Sequence, residues 1–211
     1  MIVARQQPER RVLLGGVSWE TYQSLRRAEE NCNLRMTFDR GAMEIVSPSR
    51  KHEQISYLVG WMIDVWAVFH RIDVAVGRNT TFGRRDLNRG LEPDNCYWIS
   101  HEELMRDKDE VDLRFDPPPD LVLEVDITHS SIPKLPIYAA LGVPEVWHWK
   151  LDALEVLRLD ADEQYRTRKG SAELPRFPLA VAAKLLIERT GKSDTAVIQE
   201  FIRAIKPRRH K

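Results

Sequence analysis

The stretch PDLVLEVDITHSS, residues 119–131, decides the fold. Its aliphatic run is bounded by proline on one side and by small polar residues on the other, the mark of a buried strand. Side chains alternate along a strand. Leu121, Leu123, Val125 and Ile127 therefore share one face, and Val122, Glu124 and Asp126 share the other. If the strand is central, both faces are covered, and two ionised carboxylates are costly there unless a cation or hydrogen-bond donors compensate them. A divalent metal is one such compensation, and oxygen ligands suit magnesium or manganese. The competing reading is a half-exposed strand whose acids lie in water or against arginine.

Outward from this strand the chain alternates helices and strands. SWETYQSLRRAEE (18–30) reads as a short helix with Ser18 as N-cap. LRMTFDRGAMEIVSP (34–48) reads as a hairpin turning at Asp39-Arg40-Gly41. Residues 51–70 carry Ile55, Leu58, Val59, Met62, Val65, Trp66 and Phe69 at helical spacing. IDVAVGRNTTFG (72–83) and EPDNCYWIS (92–100) read as two strands joined by the polar loop RRDLNRG (84–90). LPIYAALG (135–142) reads as a helix closed by Gly142. PEVWHWK (144–150) and LEVLRLD (154–160) read as a hairpin, EQYRTRK as an edge strand, and 179–205 as helix. This order predicts an α+β or α/β fold with one central mixed sheet. The length of 211 residues fits a single domain over 1–211, with residues 1–11 and 206–211 expected to be mobile.

Composition narrows the function. Lysine plus arginine and aspartate plus glutamate are both 32, so no global basic field announces a nucleic-acid binder, although a local basic groove remains compatible. The two cysteines, Cys32 and Cys96, have no repeated spacing, which argues against a disulfide scaffold or a cysteine zinc site. No apolar run reaches membrane-span length and the N-terminus lacks a signal core, so a cytoplasmic protein without a membrane partner is expected.

Two further residues join the paired acids. Asp94 follows Pro93 near the start of the 92–100 strand, where an aspartate can equally be a turn or cap residue. Lys134 falls just past the carboxylate strand, at the start of the following helix; alone it reads as a surface lysine. Together, Asp94, Glu124, Asp126 and Lys134 would converge on one end of a sheet. Metal-assisted phosphodiester hydrolysis needs such a set: carboxylates to hold metal, metal to polarise phosphate and water, and a lysine to orient the water and offset negative charge.

At this point the residues resemble a family. EPDNCYWI, then PDLVLEVDITHSS, then Lys134 with Tyr138 four residues on, then LGVPEVW (141–147) are similar to the Uma-type endonucleases of the PD-(D/E)XK nuclease superfamily. MTFDRGAMEIVSPSRKHE (36–53) resembles the same family's N-terminal part, and the likeness spans about residues 15–165. The resemblance implies a restriction-endonuclease-like core, with Asp94 as the motif aspartate and Glu124 as the acid of the (D/E)XK motif. It implies a magnesium- or manganese-dependent nuclease acting on DNA and, by analogy, a homodimer. The superfamily's lysine would stand at position 126, where this chain has Asp126. Lys134 takes that role in our reading, although Pro133 and Pro136 flank it. Asp126 is then an extra metal ligand.

Glu44, Glu53 and His52 are accessory candidates. Glu53 stands in the first turn of a helix, where an acid also suits the helix dipole. His52 also reads as a hydrogen-bonded structural histidine. Arg84, Arg85 and Arg89 form a basic loop suited to phosphate contacts or to plain solvation. Two rival functions remain open: a non-catalytic nucleic-acid- or protein-binding module on the same fold, and a phosphoesterase acting on small substrates.

Overall fold

The structure is a computed structural model that describes residues 9–78, 80–127 and 130–206. The chain starts with β1 (Arg10–Leu14), so the segment expected to be loose through Arg11 supplies a strand from Arg10 onward. Residues 1–8 and 207–211 lie outside the described residues. Helix α1 (Trp19–Arg27) is capped by Ser18, whose hydroxyl accepts from the Thr21 N–H at 3.1 Å. β2 (Arg35–Asp39) and β3 (Ala42–Ser47) form the expected hairpin, with Arg40 and Gly41 in the left-handed region its turn requires. Helix α2 (Arg50–His70) buries Ile55, Leu58, Val59, Met62 and Trp66 of the stripe its spacing predicts, while Val65 is only partly buried and Phe69, at the helix end, is exposed. Then come β4 (Ala75–Val76), β5 (Phe82–Arg84), β6 (Arg89–Leu91), β7 (Asn95–Trp98) and the short α3 (Glu102–Met105). β8 (Leu121–Asp126) is the strand of the opening stretch, followed by α4 (Leu135–Leu141) and β9 (Glu145–Lys150). β10 (Ala153–Leu159), β11 (Tyr165–Arg168), α5 (Leu179–Ile187) and α6 (Asp194–Ile205) complete the order.

The strands form two sheets where one was expected. A six-stranded mixed sheet runs β11-β10-β9-β8-β7-β4, and a five-stranded antiparallel sheet runs β1-β3-β2-β6-β5. The division falls inside residues 72–83, read as one strand. After β4 the chain turns: Thr80 N–H bonds to the Gly77 carbonyl, and Arg78 takes a positive φ of 48°. β4 stays beside β7, while β5 leaves for the other sheet. The helical span 179–205 is likewise broken, at Gly191 with φ 79°. Among the described residues no helix is long and apolar enough to cross a membrane.

β8 lies inside the mixed sheet, antiparallel to β7 and parallel to β9. Parallel neighbours need a crossover, and α4 is that crossover. Leu121, Leu123 and Val125 enter a core with α2, α5 and α6 that includes Ile55, Met62, Trp147, Trp149 and Phe201. Val122 faces a second core with Ile137, Tyr138 and Leu141 of α4. Both faces of β8 are therefore covered, each buried aliphatic contributing about 1.5–3 kcal/mol. Glu124 sits on the α4 face and is buried.

The close seat of α2 on β7 depends on Gly60. A Cβ there would stand 2.8 Å from Asn95 Nδ2 and 3.1 Å from the Tyr97 hydroxyl oxygen. This contact sets how near α2, and the side chains it projects, come to the residue preceding β7, which is Asp94.

Candidate active site

Glu124 is held by the crossover that follows it. Lys134 Nζ donates to Glu124 Oε2 at 2.5 Å, and the Tyr138 hydroxyl donates to Oε1. Lys134 is the residue immediately before α4, with Pro136 in the helix's first turn, where proline is tolerated. The flanking prolines thus leave the ammonium aimed at the carboxylate. Tyr138 lies one turn later on the same side of α4, as spacing of four residues dictates. Both Glu124 oxygens accept, the arrangement of the ionised form. Burial pushes Glu124 up from the usual carboxylate range and the Asp94 charge adds to this, while Lys134 and Tyr138 oppose it. Burial would lower Lys134, yet the charges of Glu124 and Asp94 raise it overall. Tyr138 is raised by burial and then by Glu124, so its phenol stays a donor.

Asp94 is held from the other side of the sheet. Its Oδ2 accepts the Val125 N–H at 2.8 Å, and its Oδ1 lies 2.7 Å from His52 Nε2. His52 projects from the first turn of α2, and its Nδ1 lies 2.8 Å from Glu9 Oε1. Burial would lower the His52 pKa; Asp94 and Glu9 instead raise it to about 10. The imidazolium is therefore charged at neutral pH and donates through both nitrogens. Burial alone would raise Asp94, but His52, Lys134 and the Val125 N–H hold it below the usual range. Two buried carboxylates, one on β8 and one immediately before β7, are thus matched by two cations, one from α2 and one from the start of α4.

Asp126 lies two residues beyond Glu124 on β8 and accepts from His148 Nε2 at 2.7 Å. It is half-buried, and burial is outweighed by His148 and Lys134, which lower its pKa. Glu124, Asp126, Lys134, Arg89, His148 and Tyr165 line one cavity of about 670 Å³ between α4 and the sheet. Asp94 opens on a different cleft, beside α2. Among the described residues, no three of the histidine, cysteine, aspartate and glutamate side chains are placed to hold a metal ion together. The donor chemistry still suits a hard cation: the Asp94 carboxylate stands just before β7 and that of Glu124 on the adjoining β8, and each is close enough to Lys134 to shift with its charge.

The accessory candidates separate. Glu44 is fully buried and accepts from Arg11 Nη1 at 3.1 Å, the Ser130 hydroxyl at 2.7 Å and the Ser131 N–H at 2.7 Å. It ties the segment after β8 to β3 instead of joining the carboxylate pair. Glu53 is half exposed and lies 3.5 Å from Arg35. His52 contacts Asp94 directly. Arg84 is bound to Asp86 and to the Leu113 carbonyl, and Arg85 to Glu20. Arg89 pairs with Asp39, donates to the Pro136 carbonyl and reaches the cavity wall. His129, whose place after the carboxylate strand fits a substrate contact or a loop cap equally, lies outside the described residues.

Four contributors were not singled out in the sequence: Tyr138 as a donor, His148, Glu9 and Ser130. His148 carried a legible signal. It alternates with Trp147 and Trp149, which are core, so it must face the opposite side of β9, and that is the Glu124 side. Glu9 and Ser130 reach the site from distant segments and carry no local pattern.

A family model described as Uma2, putative restriction endonuclease, matches residues 19–185. No curated protein matches the chain.

Proposed function

The chain belongs to the Uma2 restriction-endonuclease-like family, and from that premise we propose that it is a metal-dependent endonuclease hydrolysing phosphodiester bonds in DNA. The observation that supports this most is the pairing of Glu124 with Lys134 on the wall of an open cavity, with the Asp94 charge close enough to both to shift them. Asp94 and Glu124 would hold magnesium or manganese through oxygen, with Asp126 next along the strand as a further ligand. When bound, the ion polarises the phosphate and acidifies an attacking water.

The rest is the work of the protein's own groups. Tyr138 fixes the rotamer of Glu124, and His52 fixes that of Asp94. Lys134 would orient water and offset charge developing on the phosphate oxygens. Its partner Glu124 keeps that ammonium in the apolar surroundings of α4. Arg89 lines the same cavity, with its charge already shared with Asp39.

A second reading is favoured by one observation. All four oxygens of the carboxylate pair already have a donor, and the two charges are already balanced by Lys134 and His52. A nucleic-acid- or protein-binding module without hydrolysis would be stable in this state.

A plasmid-nicking assay separates the two. Wild type and Glu124→Gln are compared in magnesium, in manganese and in chelator; the glutamine keeps the volume and a hydrogen-bonding group. Metal-dependent nicking by wild type that is lost in Glu124→Gln supports hydrolysis at this site. Absence of nicking in every condition, with salt-dependent DNA binding retained, establishes the binding module.

A further inference from the structure

Three clefts share lining residues in succession. The 670 Å³ cavity and a neighbour of about 190 Å³ both include Asp126 and Lys150. That neighbour and a third cleft of about 470 Å³ both include Lys51 and Asp152. They form one groove that starts at Glu124 and Lys134, passes the end of β9, and leaves across the start of α2 towards the turn after α5. Its walls carry Lys150, Lys51, Arg50 and Arg189, from three separate parts of the chain.

The ion pairing of these cations sets them apart from the loop read from the sequence as basic. Among the described residues, no carboxylate stands within 4.0 Å of any of the four; Arg189 donates only to the Leu186 carbonyl. Arg84 and Arg85 are each bound to an acid, as are Arg166 and Arg168 on the outer strand. Asp126, at the head of the groove, is engaged by His148. That leaves Asp152 as the acid facing the four cations within the two outer clefts. A chain with zero formal net charge thus keeps a local basic strip that its own acids do not neutralise. Such a strip suits a polyanion whose charges repeat along a line.

We propose that the sugar-phosphate backbone of a nucleic-acid strand lies in this groove, its phosphates against Lys150, Lys51, Arg50 and Arg189, and reaches Glu124 and Lys134 from the Asp126 side. The choice of nucleic acid over other polyanions rests on the nuclease reading of the same site. The groove also explains how a protein without a global basic field can bind DNA: the field is confined to the path.

The test is fluorescence anisotropy of a labelled DNA duplex across a salt series, in chelator so that nothing is cut. Wild type is compared with Lys51→Gln/Lys150→Gln and with Arg84→Gln/Arg85→Gln, circular dichroism confirming that each is folded. Each lost phosphate contact lowers the slope of log K against log salt by about 0.9. The groove variant is therefore expected to lose about 2 from the slope and at least tenfold in affinity. The loop variant is expected to stay within twofold of wild type. Equal behaviour of groove variant and wild type, or a loss in the loop variant alone, overturns the track. Either result leaves the hydrolytic reading to the nicking assay on Glu124→Gln. Conversely, binding that follows the groove without any nicking keeps the track and removes hydrolysis.

Discussion

Replacing Lys134 by methionine removes the ammonium that answers Glu124 while keeping most of the side chain's length and apolar stem. The contact is 2.5 Å, and the lysine and glutamate side chains are 17% and 5% exposed. At an effective dielectric constant of about 20, unit charges at that separation attract by roughly 7 kcal/mol. Desolvation of both groups offsets part of this, so breaking the pair from one side is expected to cost about 3–5 kcal/mol, the range for an uncompensated buried charge. Asp94 makes the cost worse, because its charge also faces Lys134. Lys134→Met/Glu124→Gln removes both charges and leaves a neutral amide still able to accept from Tyr138. The double variant should therefore recover at least half of the loss, giving a coupling energy of about 2 kcal/mol or more. The assay is urea unfolding at pH 7.5 in chelator, followed by tryptophan fluorescence, since Trp147 and Trp149 lie in the core packed on β8. A Lys134→Met cost below about 1 kcal/mol, or a double variant no more stable than the single, would refute the pair as the balance of charge in this sheet.

Three other outcomes are expected. Glu173 is half-buried near Asp120 and Glu145, and burial with those charges raises its pKa to about 7. Because the folded value lies above the unfolded one, its contribution is present below about pH 4.5 and is lost as the pH rises through 7. Glu173→Gln should thus gain about 1 kcal/mol over wild type at pH 8, after discounting for solvent, and nothing at pH 4.5; equal gains at both values in a pH series of melts would contradict this. Gly60→Ala gains about 1 kcal/mol of helix propensity, but the contacts with Asn95 and Tyr97 should turn this into a net loss of about 1–2 kcal/mol in thermal unfolding, with metal-dependent nicking reduced through the shift of His52. Glu44→Gln sets an amide against the Arg11, Ser130 and Ser131 donors and should cost about 2–3 kcal/mol in urea unfolding; an unchanged midpoint would show that the segment after β8 does not depend on this tether.

The parts of this molecule that were legible in the sequence are those whose signal is local. Alternation in LVLEVD placed the aliphatics of β8 on two faces, and both faces proved covered. The helical stripe of 51–70 and the turn at Arg40-Gly41 are likewise short-range. What was not legible depends on partners far along the chain. The split of 72–83 between two sheets arises from the turn at Gly77-Arg78, which residue types alone leave ambiguous between a turn and a strand kink. The arginine loop looked like a phosphate site although Asp86 stands within it, because Glu20, the acid that engages Arg85, is brought to it only by folding. Lys134 was legible as a residue type, but its direction was not, since prolines on both sides permit either a buried or an exposed ammonium. His52 shows the same limit: its place beside the apolar stripe fits a structural histidine, and only the seat of α2 on β7 brings it to Asp94.

The α4 crossover has a consequence for how the site assembles in time. Glu124, Lys134 and Tyr138 lie within one β8-α4-β9 unit and meet over separations of only 10 and 14 residues. Asp94 meets its histidine over 42 residues, and Glu44 meets Ser130 over 86. Short loops close with the smaller entropic cost and close earlier. The acid whose pKa burial leaves raised is therefore the one whose counter-charge lies nearest along the chain. The contacts that hold Asp94 carry the larger closure cost, so they are expected to form after the Glu124–Lys134 pair, an order that φ-values at Lys134 and His52 would test.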